Sequence, residues 1–425
     1  MKEYIGAEAI LEKKKKYIMP CLGHFYREPR QIVRGSMQYL FDSEGRKYLD
    51  CFAGVSVINC GHCNPEITEK VTKQVETLQH VCNIYLTENF VNLAEKLAEV
   101  TPGDLQKSFF CSTGTEATEG AALLATIHTG SSEFIALRNG LHGRTKLTMS
   151  LTGIGMWRTD PNPVGGIQFA PNPYCYRCPL GKPHPECGLA CADEVETIIR
   201  TATSGRPAAF IAESIQGNAG IIVPPEGYFQ RVKEIISAYG GLFIADEVQT
   251  GFARTGRMFA IEHAGVVPDI MCVAKALGNG QPISAFIASA KVADSYTKPG
   301  ASTLGGNPVS STAGLAVLNY IEEHRLAENA EARGKQLRKG LAEIQKRHIR
   351  GLGLMTGAEF VHSDKSPAPE ELDMVLEELK DRGFIVGKNG VARNVMAFQP
   401  PLIITDENIN DVLDALEQVL VKFKL

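Results

Sequence analysis

The sequence predicts an α/β protein, a mainly parallel sheet buried between helices, with a smaller α+β domain attached. Three observations predict it. The middle of the chain carries the short apolar runs SFFC (108–111), FIAL (134–137), AAFIAE (208–213), GLFIADEV (241–248) and DIMCVAK (269–275). Continuous runs, unlike alternating ones, suit strands buried on both faces. Helical patterns separate these runs, as in a parallel sheet. After about residue 305 the texture changes: long helical patterns over 311–347 and 368–382 flank the short strand-like stretches GLMTGAEF and NVMAFQPP.

Taken in order, the elements give three parts. Residues 1–60 open with a helix-like segment whose Lys13–Lys16 run reads as a solvated face. They then hold the strand-like QYLFDSEGRKYLDC, which is expected to join the smaller domain. Residues 61–305 form the large domain, beginning with helical patterns over 65–80 and 90–100. Residues 306–425 form the smaller domain. The chain has 44 Lys+Arg against 48 Asp+Glu, a net charge of −4 that offers no basic field for nucleic acid. Apolar runs such as LFIA fall far short of a membrane span, and the opening residues have no signal-peptide core. The expectation is a soluble, cytoplasmic protein.

Eleven cysteines without an export signal do not suggest a disulfide framework. Cys21, Cys51, Cys60, Cys63, Cys82, Cys111 and Cys272 are scattered and read mostly as small buried hydrophobes. The remaining four form Cys175-x2-Cys178-x8-Cys187-x3-Cys191, with His184 inside, in a Pro/Gly-rich insert. That spacing permits a four-thiolate zinc site. Free or packed thiols are the favoured reading, and no metal ligand is assigned.

Ligands of such sheets bind beyond the carboxyl ends of the strands. Polar residues stand there, Glu213, Asp246 and Lys275 among them, and three features bear on chemistry. Ser112-Thr113-Gly114-Thr115 ends an apolar run before an Ala-rich helix, where free N–H groups can hold a phosphate. Asp246 ends a second run, and Lys275 ends a third before a Gly-rich turn. Singly, these read equally well as helix caps and a surface lysine. Together they are what pyridoxal 5′-phosphate requires: a phosphate cradle, a carboxylate for the pyridine nitrogen and an amine for the aldehyde.

The sequence resembles the class III aminotransferases, of the fold-type I pyridoxal-phosphate enzymes. The resemblance rests on GHCNPE (61–66), STGTEA (112–117), LHGRT (141–145), AESIQGNAG (212–220), ADEVQTGFARTG (245–256), AKALGNGQPISA (274–285), STLGGNP (302–308) and NVMAFQPPL (394–402). It implies a large domain with a mainly parallel seven-stranded sheet and an α+β small domain. By position, Lys275 resembles the Schiff-base lysine and general base, Asp246 the pyridinium partner, and Gln249 the donor to the ring's 3′-oxygen. Val248 is expected on one ring face, with Leu141 and His142 beside the ring. Gly114 and Thr115 are expected on the phosphate. Thr303 resembles a phosphate ligand lent by a neighbouring subunit, which implies a homodimer or a dimer of dimers.

Where the sequence departs from the family, substrate choice is at stake. Leu141 and Leu304 replace usual aromatics. Ala397 stands where members acting on α-amino acids carry an arginine, and Asn218 where 4-aminobutyrate-type members carry a glutamate. Alanine cannot make arginine's bidentate grip on a carboxylate. Arg144 is the remaining candidate carboxylate ligand. The expected reaction moves an amino group from an ω-amine, a β-amino acid or a β-aminoacyl donor, such as a coenzyme A thioester, to 2-oxoglutarate, pyruvate or another 2-oxo acid. Racemases, epimerases and phospho-lyases share the lysine and aspartate and form the alternative.

Overall fold

A computed structural model describes residues 4–344 and 348–424. Its centre is a seven-stranded sheet: β1 (Leu105–Cys111), β2 (Phe134–Leu137), β3 (Ile167–Ala170), β4 (Ala209–Glu213), β5 (Leu242–Asp246), β6 (Ile270–Val273) and β7 (Ser284–Ser289). The spatial order is β1-β7-β6-β5-β4-β2-β3. β7 runs antiparallel to both its neighbours, and the pairs from β6 to β3 are parallel. Five of these strands coincide with the continuous apolar runs. β3 (IQFA) and β7 (SAFIAS) are not among those runs: one is short and half-buried, the other rich in Ala and Ser.

Both faces of the sheet are covered, which is why the runs do not alternate. Phe210, Phe243, Ala245, Val273 and Ile287 face one core, shared with the helices Ala190–Ala202 and Tyr228–Ala238. Ile211, Ile244, Cys272, Phe286 and Ala288 face the other, against the helix Gly114–Thr129. Fully burying one of the Phe, Ile or Val side chains contributes roughly 1.5–3 kcal/mol. Of the seven scattered cysteines, Cys51, Cys60, Cys111 and Cys272 are buried, while Cys21 and Cys63 are exposed.

The strands Ile32–Ser36, Tyr39–Asp42 and Lys47–Asp50 form a second sheet, which Phe384–Ile385 extends in parallel. His348–Leu352, Met355–Glu359, Val395–Phe398 and Gly387–Asn389 form a third. The helical pattern over 311–347 resolves into two helices, Pro308–Glu323 and Leu326–Ile344, broken at His324-Arg325, where Arg325 has φ 50°. Its last residues, 345–347, lie outside the described residues, as do residues 1–3 and 425. Among the described residues no helix is long and apolar enough to cross a membrane.

Candidate active site

Strand register brings the acidic groups together. Glu213 and Asp246 are paired across β4 and β5, and Asp246 is paired with Cys272 on β6. The chain then passes Ala274 and turns into a short 3-10 helix at Lys275, whose φ of 48° lies in the left-handed region. A non-glycine residue there costs on the order of 1–3 kcal/mol and holds only where its surroundings dictate it. Burial lowers the Lys275 ammonium below the ordinary lysine range, against the opposing pull of Asp246 and Glu213. Its neutral, nucleophilic amine is therefore more accessible than that of a surface lysine.

Asp246 is fixed from two sides. Oδ2 lies 2.7 Å from His142 Nδ1, and Oδ1 accepts from the Val248 N–H at 3.1 Å. His142 is itself held by a backbone hydrogen bond to Thr152 Oγ1, and its buried Nε2 has no partner among the described residues. Glu213 accepts from the N–H groups of Leu141 and Gly217, both at 2.9 Å, so it ties two loops of the site to β4.

The expected phosphate cradle is a helix start closed by a capping box. Thr113 caps the helix Gly114–Thr129, and Glu116 Oε2 takes the N–H groups of Ser112 and Thr113 at 3.0 and 2.8 Å. The next N–H groups, those of Gly114 and Thr115, point out of the first turn, as helix geometry requires. A Cβ at Gly114 would stand 2.8 Å from a Val248 methyl, so this floor admits glycine alone without a shift. Thr115 Oγ1 accepts from the Arg144 N–H at 3.2 Å.

These groups line one cavity of about 430 Å³, together with Val57, Leu141, Gly143, Trp157, Ala274 and 280–283. A cavity of similar volume, about 410 Å³, lies near Phe109, Phe286 and Tyr296 and holds none of the motif residues. Gly114, Thr115, Leu141, His142, Arg144, Asp246, Val248 and Lys275 are thus brought together. Three expected residues are not. Gln249 lies with its amide against the Gly217 backbone, outside the lining. Thr303 is exposed and off the cavity. Ala397 does not reach the cavity either: it is fully buried, with Phe52, Ile215, Ile221 and Met355 around it.

Trp157 was not foreseen. It lines the cavity and its Nε1–H donates to Asn218 Oδ1 at 2.9 Å. The signal was its being the chain's single tryptophan, twelve residues after the HGRT segment ends. Val57 was also missed. It follows Ala53–Ser56, four consecutive residues with φ between 49° and 70°, a conformation that sequence patterns do not announce.

The family model for class III aminotransferases matches residues 25–420. An alanine–glyoxylate aminotransferase 2 homologue of Arabidopsis thaliana is 41% identical, covering 98% of this chain and 88% of its own. A leucine/methionine racemase of Thermococcus litoralis is 37% identical, covering 97% and 95%. The crystal structure of a Bacillus anthracis aminotransferase superposes with a TM-score of 0.91 at 30% identity, covering 98% of both chains.

Proposed function

The chain belongs to the class III aminotransferases, whose cofactor is pyridoxal 5′-phosphate, and from that premise we propose that its donor lacks a free α-carboxylate. The donor would be an ω-amine, a β-amino acid or a β-aminoacyl compound such as a coenzyme A thioester. The acceptor would be a 2-oxo acid such as 2-oxoglutarate or pyruvate. One observation carries this reading: among the described lining residues the lysine and arginine side chains are Lys275, the expected Schiff-base residue, and Arg144. Position 397 offers a methyl group turned into an apolar cluster, and the Asn218 carboxamide is engaged by Trp157.

The residues present fit the cofactor. Gly114 leaves room that a Cβ would fill, the helix start offers N–H groups to a phosphate, and Asp246 is held ready for a ring nitrogen. When bound, the cofactor supplies an electron sink for the carbon that carries the substrate nitrogen. Lys275 would move the proton at that carbon, helped by its lowered basicity. Asp246, oriented by His142, would hold a proton on the ring nitrogen. Val248 and Leu141 would enclose the ring between aliphatic faces, and Gln249 would turn its amide to the ring oxygen. Thr303 of a second copy would complete the phosphate site, in a homodimer or a dimer of dimers. Arg144 would receive the acceptor's carboxylate.

The test is a panel of donors at equal concentration, following bleaching of the cofactor's visible band in the half-reaction. Losing one charge-assisted carboxylate grip, worth ~1.5–3 kcal/mol, lowers kcat/KM by roughly tenfold to a hundredfold. Amines and β-amino donors should therefore outrun α-amino acids. If α-amino acids dominate the panel, this reading of the pocket fails. The racemase relative keeps a second reading in play, and stoichiometric nitrogen transfer to the 2-oxo acid separates the two.

A further inference from the structure

The insert that carries Cys175, Cys178, Cys187 and Cys191 plays no part in the site described above. Its first residues are anchored. Tyr174 Oη bonds to Glu359, and Arg177 Nε meets the same carboxylate at 2.7 Å. Beyond Cys178 the anchoring stops. The hydrogen bonds of 179–188 run within the insert: Gly181 N–H to Cys178 O, Cys187 N–H to Pro183 O and Gly188 N–H to Pro185 O. Of residues 179–189, Leu180 and Leu189 are the side chains that pack against the core. A loop with so little apolar burial needs another tether.

The four cysteines are arranged as two half-sites. Cys175 and Cys178 flank a single 3-10 turn (Cys175–Arg177). Cys187 and Cys191 flank the start of the helix Ala190–Ala202, which has no side-chain cap. All four cysteines line one small void of about 10 Å³, as does His184. That is room for one atom, whereas a water site needs at least as much space and several polar partners. A Cys-x2-Cys turn opposite a cysteine pair at a helix start supplies four sulfurs from two rigid elements.

We propose that Cys175, Cys178, Cys187 and Cys191 bind one structural zinc ion, which clips the insert to the start of the following helix. No three of these sulfurs lie within 4.8 Å of one another, so zinc binding has to draw them together. Among the described residues, the one trio of candidate ligand atoms within 4.8 Å of one another is the exposed set Glu66, Glu323 and His324. Cys187 Sγ stands 4.0 Å from His184 Nδ1. Zinc binds cysteine as the thiolate, so binding releases protons.

The holoenzyme, expressed in zinc-supplemented medium and purified without chelator, should carry about one zinc per chain by elemental analysis. A mercurial thiol reagent should release that zinc, with a metallochromic dye as the readout. Cys178→Ser with Cys187→Ser should lose the zinc yet keep the cofactor's visible band, because neither residue touches that site. The wild-type measurement stands even if the double variant fails to fold. Zinc below about a tenth per chain in the wild type, or unchanged zinc in a folded double variant, overturns the proposal. So does intact-mass evidence that these cysteines are paired as disulfides.

Discussion

Glu213 sits one strand from Asp246, and burial pushes its carboxyl up to about 7, with the Asp246 charge adding to the rise. The folded protein therefore holds this proton more tightly than the unfolded chain does. The stability that the neutral carboxyl contributes is full below the ordinary glutamate range. It is lost as pH rises through about 7. A tenfold gain in proton affinity corresponds to about 1.4 kcal/mol, so the loss is on the order of 3 kcal/mol. Denaturant midpoints measured between about pH 5 and pH 8 should fall with pH in the wild type. Glu213→Gln should flatten this component at a lower overall stability, because one backbone donor then faces an amide N–H. An equal slope in both proteins would remove Glu213 as its source. Residue identity at the strand ends was legible because a polar residue closing an apolar run is conspicuous. The pairing of Glu213 with Asp246 was not, since it depends on register between strands distant in sequence. Ala397 shows the same limit. Its place in a motif could be read, but its direction into the cluster with Phe52 and Ile215 could not.

At the scale of elements, the segment 53–56 does something that the sequence hides. Four residues in the left-handed region, three of them with side chains, carry the chain to Val57 at the cavity wall. Each non-glycine residue there costs on the order of 1–2 kcal/mol. Asp50 offsets part of this. Its Oδ1 accepts from the N–H groups of Phe52 and Ala53 at 2.9 and 2.8 Å, and Oδ2 lies 2.7 Å from His62 Nε2. Asp50→Ala should therefore destabilise by about 3 kcal/mol or more, as expected on breaking a buried charged network. With Val57 released, KM for the amine donor should rise more than kcat falls. A variant with wild-type urea midpoint and KM would show that the turn stands without Asp50. By contrast, the β-strands of the sheet interior announced themselves, because burial on both faces demands unbroken apolar runs. β7 escaped because Ala and Ser suffice where the strand packs closely between its neighbours, as at Ala285 and Ala288.

At the scale of the whole molecule, the described chain encloses most of the proposed cofactor site but leaves Thr303 outside it. Thr303 is exposed, in the turn before the helix Pro308–Glu323. A side chain that belongs to its own subunit's phosphate site would be expected among the lining residues, whereas one lent to a second copy would stand free on the surface. Subunit mixing separates these cases. Thr303→Asp puts a negative charge against the phosphate and should cost cofactor retention, while its exposure makes misfolding an unneeded explanation. Lys275→Ala should retain cofactor and lose turnover, since general-base catalysis alone contributes roughly 10²–10⁴-fold. Each homodimer is then inactive for its own reason. If Thr303 acts across the interface, a hybrid dimer contains one site with native Lys275 and native Thr303. Unfolding and refolding the two variants together at equal amounts should then restore activity at roughly a quarter of all sites. If Thr303 serves its own subunit, both sites of every hybrid remain defective and the mixture stays as inactive as its parents. The two outcomes differ in kind, so a turnover assay on the refolded mixture, with each variant refolded alone as its control, decides whether the site is shared.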